Sequence, residues 1–216
     1  MEPDLLNNLK SRLQLYAIPC EGTETELLLD QVRQAIEGGV TIVQLREKKL
    51  TFQEYLAKAT KVKAVCDEYG VPLIIDDSVD VALACEADGV HLGQEDLDVA
   101  TARACLGPDK IIGVSAKTVS QATHAQVCGA NYLGVGAIFP TKTKKNPIIT
   151  PVERLRDICN SVTIPVVAIG GLKLSNLEVL RNSGIVGIAV VTGIFSEPDI
   201  KDVAQKFKAQ VQQLLN

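Results

Sequence analysis

Short apolar runs alternate with amphipathic segments along the whole chain, and this alternation constrains the fold more than any other feature. Eight runs have the length of a buried strand: Leu13–Pro19, Thr41–Leu45, Pro72–Ile75, Gly89–Leu92, Lys110–Ser115, Tyr132–Ile138, Pro165–Ile169 and Gly187–Val191. Between them, segments such as Thr51–Tyr69 and Asp199–Leu215 carry apolar residues at helical spacing. Runs that are apolar on both faces indicate parallel strands covered by helices, so the sequence predicts an α/β protein.

Eight βα units of similar length favour one closed (β/α)8 TIM barrel that occupies residues 1–216 as a single domain. An open doubly wound sheet is the alternative, and it is disfavoured because no Gly-x-Gly-x-x-Gly motif follows the first run. The segment Met1 to Arg12 is predicted to form a short extra helix that caps the closed end of the barrel.

Composition excludes several classes of function. The chain of 216 residues has a net charge of −4 and no broad basic stripe, which argues against a nucleic-acid partner. No apolar run approaches the roughly 18 residues that a membrane-spanning helix needs, and the start does not resemble a secretory signal. We therefore expect a cytoplasmic protein without membrane association. The sequence leaves the oligomeric state open, and a homo-oligomer is compatible with it.

Polar side chains gather where the predicted strands end. They are Gln44, Arg46, Lys48, Asp76, Asp77, Asp96, Thr141, Thr143 and Lys144. In (β/α)8 barrels the carboxyl ends of the strands form one rim, and active sites lie there. The set supplies charges of both signs, as a metal-bound diphosphate would require.

The second strand gives the sharpest pattern. Gln44, Arg46 and Lys48 alternate with Leu45 and Glu47, so the first three should point into the barrel mouth. A buried cation needs an anionic partner because desolvation of an unpaired charge is costly. That partner could be a bound anion, or it could be Asp77 or Asp96 in a salt-bridge stack.

Two carboxylates, Asp77 and Asp96, would lie on neighbouring loops of this rim. Paired carboxylates can hold Mg²⁺ while water and a substrate phosphate complete its coordination shell. The alternative is helix capping, since Asp77 precedes the predicted helix Ser78–Glu86 and Asp96 lies shortly before another helix. The spacing alone does not separate these two interpretations.

The fifth and sixth predicted strands carry small residues on the inward face. Gly113 and Ser115 share a face with Lys117, and Gly134 shares a face with Gly136. These small side chains could leave space for a planar ligand, or they could reflect the packing taper that is common in small barrels.

The segment Phe139–Thr150 has the cations and hydroxyls of a phosphate-binding lid, although a solvated charged loop would look similar. Gly170–Gly171 and Thr192–Ile194 end the last two strands, where barrels often bind phosphate through backbone N–H groups. His91 and His124 fall within a strand and a helix, so both are predicted to be structural.

The chain resembles the thiamine phosphate synthase family, also called thiamine-phosphate pyrophosphorylase, over nearly its whole length. The segments that carry the resemblance are Gln44–Lys48, Ile75–Asp77, Ala87–Asp96, Gly113–Ser115, Tyr132–Lys144, Ala168–Gly171 and Val190–Thr192. The resemblance implies a transferase that joins a 4-amino-2-methyl-5-pyrimidinylmethyl diphosphate to a 4-methyl-5-(2-phosphoethyl)thiazole. The products would be thiamine phosphate and pyrophosphate, formed with Mg²⁺ by dissociative loss of diphosphate and attack of the thiazole nitrogen.

The resemblance also implies roles for single residues. It assigns catalytic roles to Arg46, Lys48, Ser115 and Lys144, and Mg²⁺ binding to Asp77 and Asp96. The remaining substrate-binding residues would be Gln44 on the aminopyrimidine, Asp76 near the diphosphate, and, around the thiazole and its phosphate, Thr141, Thr143, Gly171, Val191 and Thr192.

Two positions depart from the family pattern. Asp76 stands where the family usually has Asn, and an ionised Asp can only accept hydrogen bonds. Lys117 stands where the family often has His, and we hypothesise that its charge offsets Asp76 locally. Three alternatives also stay open: a relative that acts as a thiazole tautomerase, another phosphate-binding barrel that is an isomerase or lyase, and a non-catalytic regulator that binds thiazole phosphate. The intact set of diphosphate-binding residues favours the synthase.

Overall fold

A closed parallel barrel forms the centre of the molecule. The computed structural model describes residues 3–141, 143 and 148–215, with the backbone alone for residues 3–7. In it the strands run around the barrel in sequence order: β1 Leu15–Ala17, β2 Ile42–Leu45, β3 Leu73–Asp76, β4 Gly89–Leu92, β5 Ile111–Ala116, β6 Tyr132–Val135, β7 Val166–Ile169 and β8 Gly187–Val190. β1 pairs with both β2 and β8, which closes the sheet. The predicted (β/α)8 fold is therefore confirmed, and every strand lies inside its predicted run or extends one residue beyond it.

Helices connect the strands and cover the outside of the barrel. They are α1 Pro3–Arg12, α2 Thr25–Glu37, α3 Phe52–Glu68, α4 Val79–Ala84, α5 Val99–Leu106, α6 Val119–Val127, α7 Val152–Ser161, a 3₁₀ helix Leu174–Leu180, α8 Thr192–Phe195 and α9 Ile200–Leu215. α3 begins with a full capping box, in which Thr51 and Glu54 exchange hydrogen bonds between side chain and backbone. Among the described residues, no helix is long and apolar enough to cross a membrane.

The apolar side chains fall into two clusters, as the alternation along β2 predicts. Val43 and Leu45 belong to the large cluster between the sheet and the helices, whereas Ile42 lies in a smaller cluster inside the barrel. Leu9 of α1 is buried against that interior cluster, so the predicted N-terminal helix is present and packs onto the barrel. The face assignment for β2 is confirmed, and it directs Gln44 inward and Glu47 outward.

A buried ion pair fixes the loop that follows β1. Lys58 Nζ lies 2.6 Å from Glu47 Oε1 and donates a second hydrogen bond of 2.8 Å to the carbonyl oxygen of Thr23. The other carboxylate oxygen of Glu47 accepts from the N–H of Gly22 at 3.1 Å. Both side chains are at least nine-tenths buried. Glu47 therefore joins β2, α3 and the β1–α2 loop just below the barrel mouth.

Substitution of Lys58 by Met should destabilise the protein strongly, because it leaves the Glu47 carboxylate buried without a cation. We expect a loss of about 3–5 kcal/mol in the free energy of unfolding, measured by urea denaturation. The control is Lys61→Met on the same helix, which removes an exposed ion pair with Glu26 and should change stability little. Equal effects of the two substitutions would show that the buried pair has no special role.

Candidate active site

A cleft opens at the carboxyl ends of the strands, and most of the predicted site residues line it. It encloses about 1080 Å³, part of it continuous with solvent. The predicted residues that line it are Gln44, Arg46, Asp76, Ser115, Thr141, Thr143, Gly171, Val191 and Thr192. Lys48 and Asp77 lie beside it and are joined to it through Asp76. Lys144 lies outside the described residues.

Arg46 is held between two carboxylates at the wall of the cleft. Its Nη1 lies 2.7 Å from Glu21 Oε2, and its Nε lies 3.3 Å from Asp76 Oδ2. The Nε atom is buried and makes no hydrogen bond, although Asp76 is close. A buried donor without a hydrogen bond is uncommon, and such groups often occur at functional sites. The arginine is thus fixed in place by charge while its hydrogen-bonding capacity is only partly used.

Lys48 forms ion pairs with both Asp76, at 3.3 Å, and Asp77. The salt-bridge stack considered from the sequence therefore exists, but it contains Asp77 and not Asp96. The side chain of Lys48 is 39% exposed, so its ammonium group remains accessible from the cleft mouth. Cations and carboxylates neutralise one another at this rim, which keeps the charged residues together.

Neither Asp77 nor Asp96 caps a helix, so that alternative is wrong for both residues. Ser78 caps α4 through its hydroxyl, and Asp98 caps α5. Asp77 instead has a φ of +62°, which non-glycine residues adopt infrequently. Asp96 accepts a hydrogen bond of 2.6 Å from the N–H of Gly93 and is otherwise exposed. Both carboxylates are left at the rim.

Lys117 lines the same cleft as Asp76 but forms no ion pair with it among the described residues. The cations that contact Asp76 are Arg46 and Lys48. The local charge of Asp76 is therefore balanced by the two predicted diphosphate-binding cations, and not directly by Lys117 as hypothesised from the sequence.

The inner end of the cleft carries a chain of buried polar side chains that sequence reasoning missed in large part. We call it the polar chain, and its members in order are Gln44, Tyr16, Tyr132, His91 and Ser115. The successive distances are 2.9 Å from Gln44 Nε2 to Tyr16 Oη, 2.8 Å between the two phenol oxygens, 3.0 Å from Tyr132 Oη to His91 Nδ1, and 2.9 Å from His91 Nε2 to Ser115 Oγ. His91 was predicted to be structural, yet it lines the cleft.

Burial raises the pKa of the Tyr16 phenol, and burial also raises the pKa of Tyr132 well above its usual value. Both phenols therefore stay protonated at neutral pH, and each has one proton to donate. The two rings meet edge to face, with centroids 5.9 Å apart. Two uncharged hydroxyls thus lie within the apolar interior of the barrel and satisfy each other there.

Two glycines make room for the polar chain. A Cβ atom on Gly113 would lie 2.3 Å from Tyr132 Oη, and one on Gly134 would lie 3.1 Å from the ring of His91. At Gly113 the packing interpretation is correct, since a phenol fills the space that we considered for a ligand. Gly134 also lines the cleft, so it serves both the ring and the open volume.

Backbone groups and hydroxyls form the opposite side of the cleft. Thr141 and Thr143 contact each other through their hydroxyls at 3.2 Å. Gly171 has a φ of +66°, and a Cβ atom there would lie 2.6 Å from the carbonyl oxygen of Pro140. Thr192 begins α8, in which the N–H groups of Ile194 and Phe195 donate to the carbonyl oxygen of Val191, so the N–H groups that come before them are the candidates for a phosphate. This arrangement can accept a phosphate group through N–H and O–H donors.

The long loop after β6 ends at Thr150. The next residue, Pro151, is the N-cap of α7 and offers no side-chain hydrogen bond. Thr150 is buried, and its N–H donates to the carbonyl oxygen of Ala137 at 2.8 Å. The returning end of the long loop is thereby tied to the end of β6.

Comparisons with known proteins agree with this geometry. The family model described as thiamine monophosphate synthase matches residues 15–194. Thiamine-phosphate synthase 2 of Streptococcus pneumoniae is 48% identical over 96% of this chain and 99% of its own length. Thiamine-phosphate synthase of Lacticaseibacillus paracasei is 46% identical over 94% of this chain and 96% of its own length.

A solved structure supports the same relationship. Thiamine phosphate pyrophosphorylase from Pyrococcus furiosus superposes with a TM-score of 0.86 and 36% sequence identity, covering 96% of this chain and all of that one. The family model, the sequence relatives and this structure each extend across the strands that carry the cleft. The chain therefore belongs to the thiamine monophosphate synthase family.

Proposed function

We propose that the protein is a thiamine-phosphate synthase. It joins 4-amino-2-methyl-5-pyrimidinylmethyl diphosphate to 4-methyl-5-(2-phosphoethyl)thiazole and releases pyrophosphate. The observation that carries this proposal is the grouping of Arg46, Lys48, Asp76 and Asp77 at one rim of the barrel, in a chain that shares 48% identity with a named synthase. The name of that relative supports the synthase over the tautomerase and regulator alternatives.

The chemistry requires stabilisation of a leaving group more than transfer of a proton. The bond between the methylene carbon and the diphosphate oxygen breaks, and its electron pair leaves with the diphosphate. The thiazole nitrogen then attacks the methylene carbon with its lone pair. Arg46, Lys48 and Lys144 would hold the diphosphate and stabilise the negative charge that develops on it. Because Arg46 is fixed by Glu21 and Asp76, its guanidinium needs little reorganisation.

Asp77 and Asp96 would hold Mg²⁺ at the mouth. Two carboxylates at the rim suit Mg²⁺, which is commonly bound by one or two carboxylates together with substrate phosphates and water. When bound, the ion supplies positive charge to the diphosphate oxygens. Asp77 now pairs with Lys48, so metal binding would release that ammonium group for the substrate.

The remaining residues of the cleft would contact the pyrimidine ring, the thiazole ring and the phosphate of the thiazole. Gln44 would contact the aminopyrimidine, and Ser115 would lie beside it and the departing diphosphate. Thr141 and Thr143 would contact the thiazole and its phosphate. Gly171 and the start of α8, at Val191 and Thr192, would supply backbone N–H groups to that phosphate.

The direct test incubates the purified protein with both substrates and Mg²⁺ and measures thiamine phosphate and pyrophosphate together. We expect equal amounts of the two products. Tautomerisation of the thiazole without pyrophosphate release would instead identify the tautomerase alternative. Binding of thiazole phosphate without any turnover would identify the regulator.

Removal of the Arg46 charge should impair catalysis without unfolding the protein. We expect Arg46→Gln to lower kcat/KM by about two to three orders of magnitude, which corresponds to roughly 2–4 kcal/mol of transition-state stabilisation. The control is Arg156→Gln on the exposed face of α7, which should leave kcat/KM unchanged. A large fall in the thermal midpoint with normal turnover would show that Arg46 is a structural ion-pair residue.

Substitution of Asp96 by Asn should weaken metal binding and leave the loop intact, because the amide oxygen can still accept from Gly93. We expect the Mg²⁺ concentration for half-maximal activity to rise about tenfold or more, since one of two carboxylate ligands is lost. Direct titration with Mn²⁺, followed by electron paramagnetic resonance, should show the same weakening. Asp109→Asn in the exposed turn before β5 is the control. Equal metal affinity in both variants would exclude Asp96 as a ligand.

A further inference from the structure

The loop between β4 and α5 carries Asp96, one of the two carboxylates assigned to the metal, and this loop is anchored at both ends. At its start the Gln94 side chain donates a hydrogen bond of 2.7 Å to the backbone carbonyl oxygen of Ser115, near the end of β5. At its other end the Asp98 side chain accepts from the N–H of Thr101 at 3.0 Å and caps α5. The loop backbone around Asp96 is therefore held by the elements on both sides.

A single backbone group holds the Asp96 side chain within this loop. The Oδ2 atom of Asp96 accepts a hydrogen bond of 2.6 Å from the N–H of Gly93. In the part of the chain that the structure describes, no group donates to the other carboxylate oxygen, and the residue is exposed. A carboxylate that is held through one oxygen keeps the second oxygen for a cation, and outer contacts of this kind orient metal ligands in proteins.

This hydrogen bond depends on the absence of a side chain at position 93. A Cβ atom on Gly93 would lie 2.8 Å from Asp96 Oδ2, well inside the favourable distance between non-bonded heavy atoms. Apart from its chain neighbours, the only other described atom within 4 Å of that Cβ would be Asp96 Cγ, at 3.8 Å. The backbone at Gly93 does not itself require glycine, because its φ is not positive. The glycine therefore serves the carboxylate and not the turn.

We propose that Gly93 and Gln94 are positioning residues that hold the Asp96 carboxylate in a preformed cation-binding conformation before any substrate is bound. This proposal rests on the metal site of the proposed function. Gln94 fixes the loop relative to β5, and Gly93 fixes the carboxylate relative to the loop. The effect of both residues on the metal therefore passes through Asp96.

A fixed carboxylate binds a small divalent cation better than a mobile one. An exposed side chain loses rotamer freedom when it binds, and the hydrogen bond from Gly93 has already restricted that freedom at Asp96. Mg²⁺ also demands near-ideal octahedral geometry, so a carboxylate that is displaced from its position is a poorer ligand although it keeps its charge. A methyl group at position 93 should therefore weaken cation binding without removing any charged group.

The first test titrates the substrate-free protein with Mn²⁺ alone and follows binding by electron paramagnetic resonance. We expect Gly93→Ala to weaken Mn²⁺ binding by about tenfold or more, because the methyl group displaces the Asp96 carboxylate. Gln94→Ala should weaken binding by about two- to tenfold, because one exposed hydrogen bond is lost. The control is Glu95→Gln, which removes an exposed carboxylate from the same loop and should weaken binding by less than about twofold, since exposed charges are screened.

A double-mutant cycle separates positioning from a general structural role. In an Asp96→Ala background, Gly93→Ala should cause no further loss of Mn²⁺ affinity, because the carboxylate that it displaces is gone. The thermal midpoint of Gly93→Ala should fall by no more than about 4 °C, as expected for the loss of one exposed hydrogen bond. The same cycle with Gln94→Ala repeats the test through a variant that leaves the contact between Gly93 and Asp96 unaltered.

Failure of this proposal and failure of the proposed function give different results. Equal losses of affinity with and without the Asp96 carboxylate, or no Mn²⁺ binding to the wild-type protein, would overturn a preformed Asp96 site. If thiamine phosphate forms with Mg²⁺ and Gly93→Ala binds Mn²⁺ normally, the positioning role is wrong and the synthase stands. If the wild-type protein forms no thiamine phosphate but the cycle shows coupling through Asp96, the synthase is wrong and the positioning role stands.

Discussion

Side chains alternate between the two faces of each parallel strand, and in a closed barrel this alternation decides what enters the cleft. Along β2 and the two residues that follow it, the alternation directs Gln44 and Arg46 inward and Glu47 outward, and the two faces have different roles. The inward residues meet Asp76, Tyr16 and the open cleft. The outward carboxylate meets Lys58 under α3 and holds the β1–α2 loop. That loop carries Glu21, which in turn fixes Arg46, so the outer face supports the inner one.

Charge compensation at the rim explains how so many ionised groups can stay together. Arg46 and Lys48 share Asp76, while Glu21 and Asp77 each engage one of the two cations. Arg46 and Asp76 are largely buried, so the cost of removing their charges from water offsets much of the attraction between them. Their value lies in preorganisation, because cations that are already fixed can stabilise a departing diphosphate without a reorganisation penalty. An Asp at position 76 fits this picture, since it holds both cations.

Beneath the charged rim lies an uncharged polar layer with a different task. The polar chain places two phenols and an imidazole between apolar side chains, where a charge would be expensive. Its hydrogen bonds join Gln44 to Ser115 and need no charged group to do so. The cleft thus combines a charged mouth suited to phosphates with an inner end suited to reading the hydrogen-bonding pattern of a heterocycle.

The alternation of apolar runs and helical segments was sufficient to predict the barrel and each of its strands, because strand and helix periodicity are local properties. The rim residues could be predicted for the same reason, since carboxyl ends of parallel strands meet at one edge. The hydrogen-bond and ion-pair partners of these rim side chains could not be predicted from the sequence. Glu21, Tyr16 and Tyr132 lie far from their partners in sequence, and His91 looked like an ordinary strand residue. Three contacts depend on distances that exist only once the barrel closes. They are the carboxylate that pairs with Lys48, the phenol that fills the space above Gly113, and the nitrogen of His91 that faces Ser115. The sequence by itself therefore determined the fold and the edge where its chemistry gathers, whereas the tertiary structure decided the contacts, because closure alone brings distant strands within hydrogen-bonding range.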